Sequence, residues 1–330
     1  MSGLRLQWRP FAFPLPEPLH TARGSLVEKR GWLLRLENRD GRVGWGEAAP
    51  LELAGPEPLE AIRTALDAFG SDLGSELNRG ALESWLRRPD CPPCLAFALG
   101  AALAELDGLV GTQGWLPAPS SAWLLPAGEA MPAALERLLA GRQQQTVLCV
   151  KWKVAARPDE QERELLELLL QSLPANARLR LDANGGWDRR TACAWAERLV
   201  GEPRLEWLEQ PLSPADQDGL ALLAARLPVA LDESLQLSPA LRTRWSGWQV
   251  RRPSQEGDPR PLLAELRAGR PLLMISTAFE TGIGQRWLAH LAGLQAQGPT
   301  PTAPGLAPGW LPPGSLFASY PLVVWAGSHA

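Results

Sequence analysis

Two lysines lie two residues apart in one apolar segment of a chain that otherwise takes its positive charge from arginine. Three of the 33 basic residues are lysine, and the other 30 are arginine. Lys151 and Lys153 fall in the segment 146–154, and Lys29 is the third lysine. Arginine keeps its proton at any working pH, whereas lysine can release one. The retained pair therefore predicts a lysine that transfers a proton.

Three carboxylates end the next three short apolar runs. Asp182, Glu209 and Asp232 are separated by 27 residues (182 to 209) and by 23 residues (209 to 232), about one strand–helix unit each. In a barrel of such units the strand ends meet at one rim, so we expect the three carboxylates to lie side by side. Clustered carboxylates repel one another, and a hard cation such as Mg²⁺ neutralises them through oxygen ligands.

Each of these residues also has an ordinary structural explanation. An Asp directly after a strand is more often the N-cap of the next helix than a metal ligand, and a Lys-x-Lys pair usually lies on a solvated strand face. The functional interpretation is favoured by the conjunction of four successive strand ends. Side chains alternate along a strand, so Lys151 and Lys153 should point one way and Trp152 the other. We expect the two ammonium groups to lower each other's pKa.

Apolar runs alternate with helical patterns from about residue 121 onward. Such alternation indicates a parallel sheet, and seven units in about 200 residues favour a barrel over an open sheet. The Gly-rich phosphate turn of a dinucleotide-binding fold does not follow the first strand. The predicted strands are 122–125, 146–154, 178–181, 205–208, 229–231, 248–250 and 272–275, and the predicted helices include 159–173, 188–199 and 261–268.

The first hundred or so residues have a different pattern. Residues 31–47 alternate in polarity on both sides of an Asp-Gly turn, which predicts a β-hairpin. Helices are expected at about 59–69 and 93–107, which together with the hairpin is typical of a small α+β domain. The apolar run 322–325 near the C-terminus is expected to return and pack on this domain.

Composition narrows the class of protein. A chain of 330 residues with a net charge of −3 can bury a large core and lacks the basic character of nucleic-acid binding proteins. The sequence shows neither a membrane-length apolar run nor a secretory signal. Four cysteines, including Cys91-Pro-Pro-Cys94, accompany only three histidines, which disfavours a zinc site. We expect a cytoplasmic protein without nucleic-acid or membrane partners, whose oligomeric state stays open.

With these residues in place, the chain resembles the enolase superfamily and, within it, the muconate-lactonizing-type subgroup. The resemblance rests on Lys151-Trp-Lys153, Asp182-Ala-Asn184, Glu209-Gln-Pro211, Asp232-Glu-Ser234 and the segment 44–50. It implies an α/β fold, with a (β/α)7β TIM-like barrel and an N-terminal α+β capping domain. The implied boundaries are 1–110 for the capping domain, joined by the C-terminal segment 315–330, and 111–314 for the barrel catalytic domain.

The segments 179–184 and 275–284 resemble the o-succinylbenzoate synthase family of that subgroup. This family dehydrates 2-succinyl-6-hydroxy-2,4-cyclohexadiene-1-carboxylate (SHCHC) to 2-succinylbenzoate, on the route to menaquinone or phylloquinone. The resemblance implies that Lys153 removes the proton alpha to the carboxylate and then protonates the departing hydroxide, with Lys151 tuning it. It also implies Asp182, Glu209 and Asp232 as ligands of Mg²⁺, with Mn²⁺ as a substitute, and a small carboxylate as the substrate.

One residue departs from the family pattern. Arg252 stands before Pro253, where the family usually carries Lys. Arg supplies a cation but no second base, which favours a one-base elimination over the two-base racemases and epimerases of the subgroup. The segment 294–330 also lacks the Asp or Glu that would bind the ammonium of an amino-acid substrate. An N-acylamino acid racemase, dipeptide epimerase or cycloisomerase is the alternative, and a non-catalytic binding protein is the second.

The candidate substrate contacts come from both halves of the barrel segment. Ser- and Gly-containing segments suit a ring-like carboxylate bound partly through backbone N–H groups. The candidates are Arg180, Asn184, Ser276, Gly282 and Gly309. With Lys153, Lys151 and Arg252 as catalytic residues and three carboxylates as metal ligands, they complete the predicted site.

Overall fold

The chain forms two compact units in the computed structural model, which describes residues 3–21, 24–51, 57–70, 75–110, 114–141 and 147–328. The first unit comprises Met1–Pro119, Arg252–Pro271 and Ile275–Ala330, and the second comprises Ser120–Arg251 and Leu272–Met274. Each unit is a region in which residues pack mainly against one another, and a unit of this kind need not coincide with a domain. The domain boundaries expected from the sequence therefore stay a prediction.

The first unit contains an antiparallel sheet of four strands in the order β3-β2-β1-β4. The strands are β1 (Gly3–Thr21), β2 (Gly24–Asn38), β3 (Val43–Ala48) and β4 (Ser75–Asn78). β2 and β3 are antiparallel partners and form the predicted hairpin. Asn38 closes the turn by accepting hydrogen bonds from the N–H groups of Asp40 and Arg42, and Gly41 supplies the left-handed φ of 76° that the turn requires.

Three helices lie within residues 57–106 of the first unit, the first of them between β3 and β4. They are α1 (Glu57–Ala68), α2 (Arg79–Leu86) and α3 (Pro93–Leu106). α3 begins at Pro93, where a missing N–H costs no helical hydrogen bond. Gly44 and Gly46 of β3 permit a close approach to α3, because a Cβ at either position would overlap the backbone of Ala102 or Ala98. The helices predicted at 59–69 and 93–107 are confirmed.

Seven strands form the second sheet, in the order β11-β10-β9-β8-β7-β6-β5, and the pairs from β5 to β10 are all parallel. The strands are β5 (Trp123–Leu125), β6 (Cys149–Lys153), β7 (Arg178–Asp182), β8 (Leu205–Glu209), β9 (Val229–Leu231), β10 (Trp248–Arg251) and β11 (Leu273–Ile275). All seven predicted strands are confirmed. Residue 146, the first of the strand predicted at 146–154, lies outside the described residues.

Helices alternate with these strands along the chain. The second unit contains α4 (Met131–Ala140), α5 (Asp159–Ser172), α6 (Arg189–Leu199), α7 (Gln217–Ala224), α8 (Glu233–Leu237) and α9 (Leu241–Arg244). The first unit contains α10 (Arg260–Arg267), α11 (Gly282–Ala296) and α12 (Pro321–Gly327). Trp152 is fully buried in a core cluster with Leu166 of α5 and Trp195 of α6. It therefore packs against the helices, as the predicted alternation requires.

The C-terminal apolar run packs on the first strands. Val324 and Trp325 of α12 share a core cluster with Phe11 of β1 and Trp45 of β3. The guanidinium of Arg9 lies 4.4 Å from the centre of the Trp325 ring. The tail is thus held by apolar contact and by a cation–π interaction.

Candidate active site

Four adjacent strands of the second sheet bring the predicted chemical groups into register. Lys153 on β6 is opposite Asp182 on β7, and Asp182 is opposite Glu209 on β8. Glu209 is opposite Ala230 on β9, and Asp232 comes directly after the end of that strand. The predicted row of residues therefore lies at the C-terminal ends of β6 to β9, the edge at which barrel enzymes carry their active sites.

The three carboxylates are buried and meet one lysine. Asp182, Glu209 and Asp232 expose 1%, 0% and 1% of their surface. Lys151 Nζ lies 2.8 Å from Asp182 Oδ2 and 2.6 Å from Glu209 Oε1. Asp232 occupies the N-cap position of α8 without making a capping hydrogen bond, and its Oδ1 accepts from Gln236 Nε2 at 2.9 Å. Helix capping therefore does not explain this carboxylate.

The members of this cluster set one another's ionisation. Burial lowers the pKa of Lys151, but the charges of Asp182 and Glu209 outweigh burial and raise that pKa above its ordinary value. The expectation that the two lysines lower each other's pKa is therefore wrong for Lys151, because carboxylates from neighbouring strands contact it. Burial raises the pKa of Glu209, Lys151 opposes the rise, and the charges of Asp182 and Asp232 add to it.

Strained backbone marks three of these strand ends. Ala155, Asn184 and Gln210 have φ values of 59°, 46° and 38°, in the left-handed region that residues with a Cβ seldom adopt. Each lies one or two residues beyond the end of β6, β7 or β8. Such strain persists only where the surroundings enforce it, and it concentrates at functional sites.

Asn184, a predicted substrate contact, binds the carboxylate cluster. Its backbone N–H donates to Asp182 Oδ1 at 3.0 Å, and its Nδ2 donates to Asp182 Oδ2 at 3.3 Å. Nδ2 also donates to Glu233 Oε1 at 3.1 Å. The side chain thus joins the loop after β7 to the loop after β9, and its contact with substrate stays a prediction.

Two supporting residues were missed by sequence reasoning. Gln210 accepts hydrogen bonds from the N–H groups of Asp232 and Ser234. Glu162 of α5, itself fully buried, accepts from the three N–H groups of residues 155–157 at 2.7, 3.0 and 3.0 Å. The Glu-Gln-Pro motif was a usable signal for Gln210. Glu162 gave none, because it stands among other acidic residues at the start of a helix.

Arg180, another predicted substrate contact, is completely buried. Its Nε donates to Glu206 Oε2 at 2.7 Å, and its guanidinium lies 4.1 Å from the centre of the Trp207 ring. Arg180 stands two residues before Asp182 on β7, so both side chains leave the same face of the strand. The guanidinium thus has a partner inside the sheet, and substrate contact by Arg180 stays a prediction.

The other predicted residues belong to the first unit. Arg252 Nη1 donates to the carbonyl of Thr277 at 2.6 Å. Ser276 is nearly buried, and its Oγ donates to a backbone carbonyl at 3.4 Å. Gly282 begins α11 at a point where a Cβ would overlap neighbouring backbone, whereas Gly309 has open space around it. Their roles toward a substrate stay predictions.

The donor set fits a hard divalent cation. Among the described residues, no three His, Cys, Asp or Glu side chains are arranged to coordinate a metal ion as they stand. At the three carboxylates, the ammonium of Lys151 lies between Asp182 and Glu209. The ammonium of Lys151 offsets part of the negative charge that Asp182, Glu209 and Asp232 bring together, and a bound cation would offset more of it. Carboxylate oxygens are the ligands that Mg²⁺ prefers. Asp182, Glu209 and Asp232 thus have the donor chemistry for such an ion, and their role as metal ligands stays a prediction.

Comparison with known proteins agrees with this geometry. Residues 133–243 match the family model described as enolase C-terminal domain-like. An o-succinylbenzoate synthase from Thermosynechococcus vestitus is 37% identical over 305 residues, 87% of this chain and 88% of that protein. The chain belongs to the o-succinylbenzoate synthase family of the enolase superfamily. The family resemblance expected from the motifs is therefore confirmed.

The chain is also similar to a solved structure of the same family and to an epimerase of known sequence. The crystal structure of the o-succinylbenzoate synthase from Thermosynechococcus elongatus, complexed with Mg in the active site, aligns with a TM-score of 0.78 and 31% identity over 98% of this chain and 99% of that one. An L-Lys-D/L-Arg epimerase from Methylococcus capsulatus is 32% identical over 254 residues, 71% of this chain and 68% of that protein. The predicted α/β fold, a (β/α)7β TIM-like barrel with an N-terminal α+β capping domain, is confirmed.

Proposed function

We propose that the chain is a Mg²⁺-dependent carbon–oxygen lyase that dehydrates SHCHC to 2-succinylbenzoate, on the route to menaquinone or phylloquinone. The observation that carries the proposal is the contact of Lys151 with two of three buried carboxylates, at the strand ends beside Lys153. Similarity to o-succinylbenzoate synthases over most of the chain supports the reaction. The substrate is a small molecule, and we propose that it is recognised as a carboxylate.

Lys153 is the proposed proton shuttle. It follows Lys151 by two residues on β6, so both side chains leave the same face of the strand. Lys153 Nζ takes the proton alpha to the substrate carboxylate, and an enediolate results. The electron pair of that C–H bond is held in the enediolate, and it forms the new ring C=C bond when the enediolate collapses to a carboxylate and the neighbouring C–O bond breaks. Lys153 returns its proton to the departing hydroxide, so the products are 2-succinylbenzoate and water.

The carboxylates and Lys151 prepare the charge of the site. Asp182, Glu209 and Asp232 are the proposed ligands of Mg²⁺, for which Mn²⁺ can substitute. When bound, the ion supplies positive charge beside the substrate carboxylate, which becomes more negative as the alpha proton leaves the substrate. Lys151 keeps its own proton, because the charges of Asp182 and Glu209 raise its pKa, and it adds a positive charge on the same face of β6 as Lys153.

An epimerase is the second candidate, and the similarity to the L-Lys-D/L-Arg epimerase favours it. Epimerisation needs a base on each face of the substrate. Arg252, at the position proposed to face the substrate opposite Lys153, keeps its proton at all working pH values. It supplies charge to the enediolate and no base, so we favour the one-base elimination.

The finer features of the enzyme are proposed on the same grounds. Arg180, Asn184, Ser276, Gly282 and Gly309 are proposed substrate contacts. Residues 1–110 and 315–330 are proposed as the capping domain, and residues 111–314 as the barrel domain. A cytoplasmic location is supported by the four cysteines, all free thiols in the structure, since reducing compartments keep thiols free. No helix among the described residues has both the length and the apolar character to cross a membrane.

The decisive experiment is an assay of the purified protein with SHCHC, with and without Mg²⁺. We expect 2-succinylbenzoate to form with Mg²⁺ and the reaction to stop when the metal is chelated. A parallel incubation with dipeptides and N-acylamino acids in deuterated water tests the epimerase candidate, for which exchange of the alpha proton is the signature. Exchange without any SHCHC turnover would overturn the proposal. Mg²⁺ binding with neither reaction would instead favour a binding protein.

A further inference from the structure

The loop that carries Asp232 is held by the amide side chain of Gln210, the residue that directly follows β8. Gln210 is completely buried. Its Oε1 accepts from the N–H groups of Asp232 at 3.2 Å and Ser234 at 3.1 Å. Its Nε2 donates to Ser234 Oγ at 2.8 Å and to the carbonyl of Leu212 at 2.9 Å. A carboxamide has two acceptor sites and two donor hydrogens, so its hydrogen-bonding capacity is full.

This saturation decides what Gln210 can do. An amide whose oxygen already accepts two hydrogen bonds has no lone pair left to bind a metal or a substrate. Its remaining influence is on the backbone that it binds. The N–H of Asp232 and the N–H and hydroxyl of Ser234 lie on either side of the first residue of α8, so Gln210 fixes the direction in which the Asp232 carboxylate leaves the chain.

The backbone of Gln210 shows that this arrangement is maintained against strain. Its φ of 38° lies in the left-handed region, which costs a side chain other than Gly or Asn about 1 kcal/mol or more. Glycine would remove the strain but would also remove the amide. The chain keeps a strained glutamine between Glu209 and Pro211, directly after one carboxylate of the cluster and bonded to the loop of another.

We propose that Gln210 is a positioning residue that presets the Asp232 loop for binding of the divalent cation. The inference rests on the proposed function, because it takes Asp232 as a metal ligand. Gln210 acts through the backbone of Asp232 and Ser234 and does not itself contact metal or substrate. Asn184 assists from the loop after β7 by its hydrogen bond to Glu233, the residue between the two that Gln210 binds.

The test compares two near-isosteric changes of buried glutamines. Gln210→Met removes four hydrogen bonds at the Asp232 loop. Gln249→Met is the matched control, because Gln249 is equally buried on β10 and its Nε2 donates to the carbonyls of Arg242 and Trp245. Mg²⁺ affinity is measured by titration calorimetry on metal-free protein. Residues that orient metal ligands typically contribute 10- to 100-fold to metal affinity. We therefore expect Gln210→Met to bind Mg²⁺ at least about tenfold more weakly than the wild type, and Gln249→Met to bind it with wild-type affinity.

Turnover as a function of Mg²⁺ concentration gives a second readout. If Gln210 acts through the metal, excess Mg²⁺ restores the kcat of Gln210→Met toward the wild-type value, which a general structural defect would not allow. Should Gln210→Met fail to fold, Ser234→Ala removes one partner only and should weaken Mg²⁺ binding by about threefold or more. Wild-type Mg²⁺ affinity in a folded Gln210→Met protein, or in Ser234→Ala when Gln210→Met does not fold, would overturn the inference.

The inference and the proposed function fail in different ways. Wild-type protein that binds Mg²⁺ but leaves SHCHC unchanged contradicts the proposed reaction, while a weaker affinity in Gln210→Met still supports the role of Gln210. If the wild type turns over SHCHC normally and Gln210→Met binds Mg²⁺ as tightly as the wild type does, only the role of Gln210 is contradicted. Absence of Mg²⁺ binding by the wild type overturns both.

Discussion

The two units bury carboxylates in different ways. In the first unit, Glu47 of β3 accepts hydrogen bonds from the N–H groups of Thr281 and Gly284 at 2.9 and 3.0 Å, and from the Thr281 hydroxyl at 2.6 Å. These donors stand at the start of α11, where N–H groups have no partner inside the helix. In the second unit, Asp182 and Glu209 share the ammonium of Lys151.

A second carboxylate of the first unit follows the same rule as Glu47. Glu280 accepts from the hydroxyls of Ser254 and Thr277, each at 2.5 Å, and from the N–H of Ala278 at 2.8 Å. Short hydroxyls and backbone amides cannot withdraw without disturbing the fold, whereas a lysine side chain can move aside. Asp182 also accepts from the N–H and the side-chain amide of Asn184, but the ammonium of Lys151 between Asp182 and Glu209 sets these two carboxylates apart from Glu47 and Glu280. The kind of donor, more than the depth of burial, separates the two groups.

Replacement of Glu by Gln should have different effects in the two units. The largest effect is expected at Glu209. Glu209→Gln removes one negative charge from the proposed metal site, a loss of several kcal/mol of electrostatic stabilisation, or on the order of 10³-fold in turnover. Calorimetry should show Mg²⁺ binding lost, and the SHCHC assay should show the rate lost with it. Near wild-type Mg²⁺ affinity in this variant would contradict the assignment of the site.

Glu47→Gln should act on stability and its pH dependence. Burial, with the nearby charge of Glu280, raises the pKa of Glu47 to about 7. The folded state then binds more protons than the unfolded state between about pH 4.5 and 7, so the contribution of Glu47 to stability falls as pH rises through that window. The shift corresponds to at most about 3 kcal/mol. Chemical unfolding from pH 5 to 8 should show a flatter dependence for Glu47→Gln.

Other described groups also have shifted pKa values, among them Glu162 and Glu209, whose pKa burial raises, so the difference between variant and wild type is the quantity to measure. Burial also raises the pKa of Glu105 to about 7, which acts in the same direction as Glu47. Burial lowers the pKa of His290. At pH values below the ordinary pKa of histidine, this shift makes stability rise with pH, opposite to the effect of Glu47. An identical pH dependence in Glu47→Gln and the wild type would show that Glu47 is ionised throughout, and Mg²⁺ affinity should be unchanged in either case.

Glu162→Gln sharpens the comparison, because this carboxylate belongs to the second unit but is held as in the first. Its partners are the three backbone N–H groups of residues 155–157. Loss of a buried acceptor costs about 1–3 kcal/mol, so the free energy of unfolding should fall by that amount with Mg²⁺ affinity nearly unchanged. A large loss of Mg²⁺ affinity without loss of stability would show that location, and not the kind of donor, separates the two groups.

The row of chemical groups could be predicted because it depends on local pattern alone. A two-residue period sets the side to which Lys151 and Lys153 point, and the strand–helix repeat sets the spacing of the carboxylates. The first strand was harder to predict: β1 contains Pro10, Pro14, Pro16 and Pro18, which interrupt the usual strand pattern, and its pairing with β2 shifts register after Pro14.

Contacts between loops could not be predicted from the pattern. The pKa of Lys151 depends on carboxylates 31 and 58 residues later in the chain (151 to 182 and 209), and the prediction considered only the neighbouring lysine. The role of Gln210 depends in the same way on a left-handed backbone and on N–H groups 22 and 24 residues further on. Sequence periodicity carries no information about either.

The most direct test of the central claim is the turnover of SHCHC by Lys153→Arg in saturating Mg²⁺. Arginine keeps the positive charge and much of the length of lysine but cannot accept a proton at working pH. General acid–base catalysis typically contributes 10²- to 10⁴-fold, so we expect turnover to fall by at least about 100-fold with Mg²⁺ affinity unchanged and the protein folded. Turnover within about threefold of the wild-type value would contradict the account, because the proton would then be moved by another group.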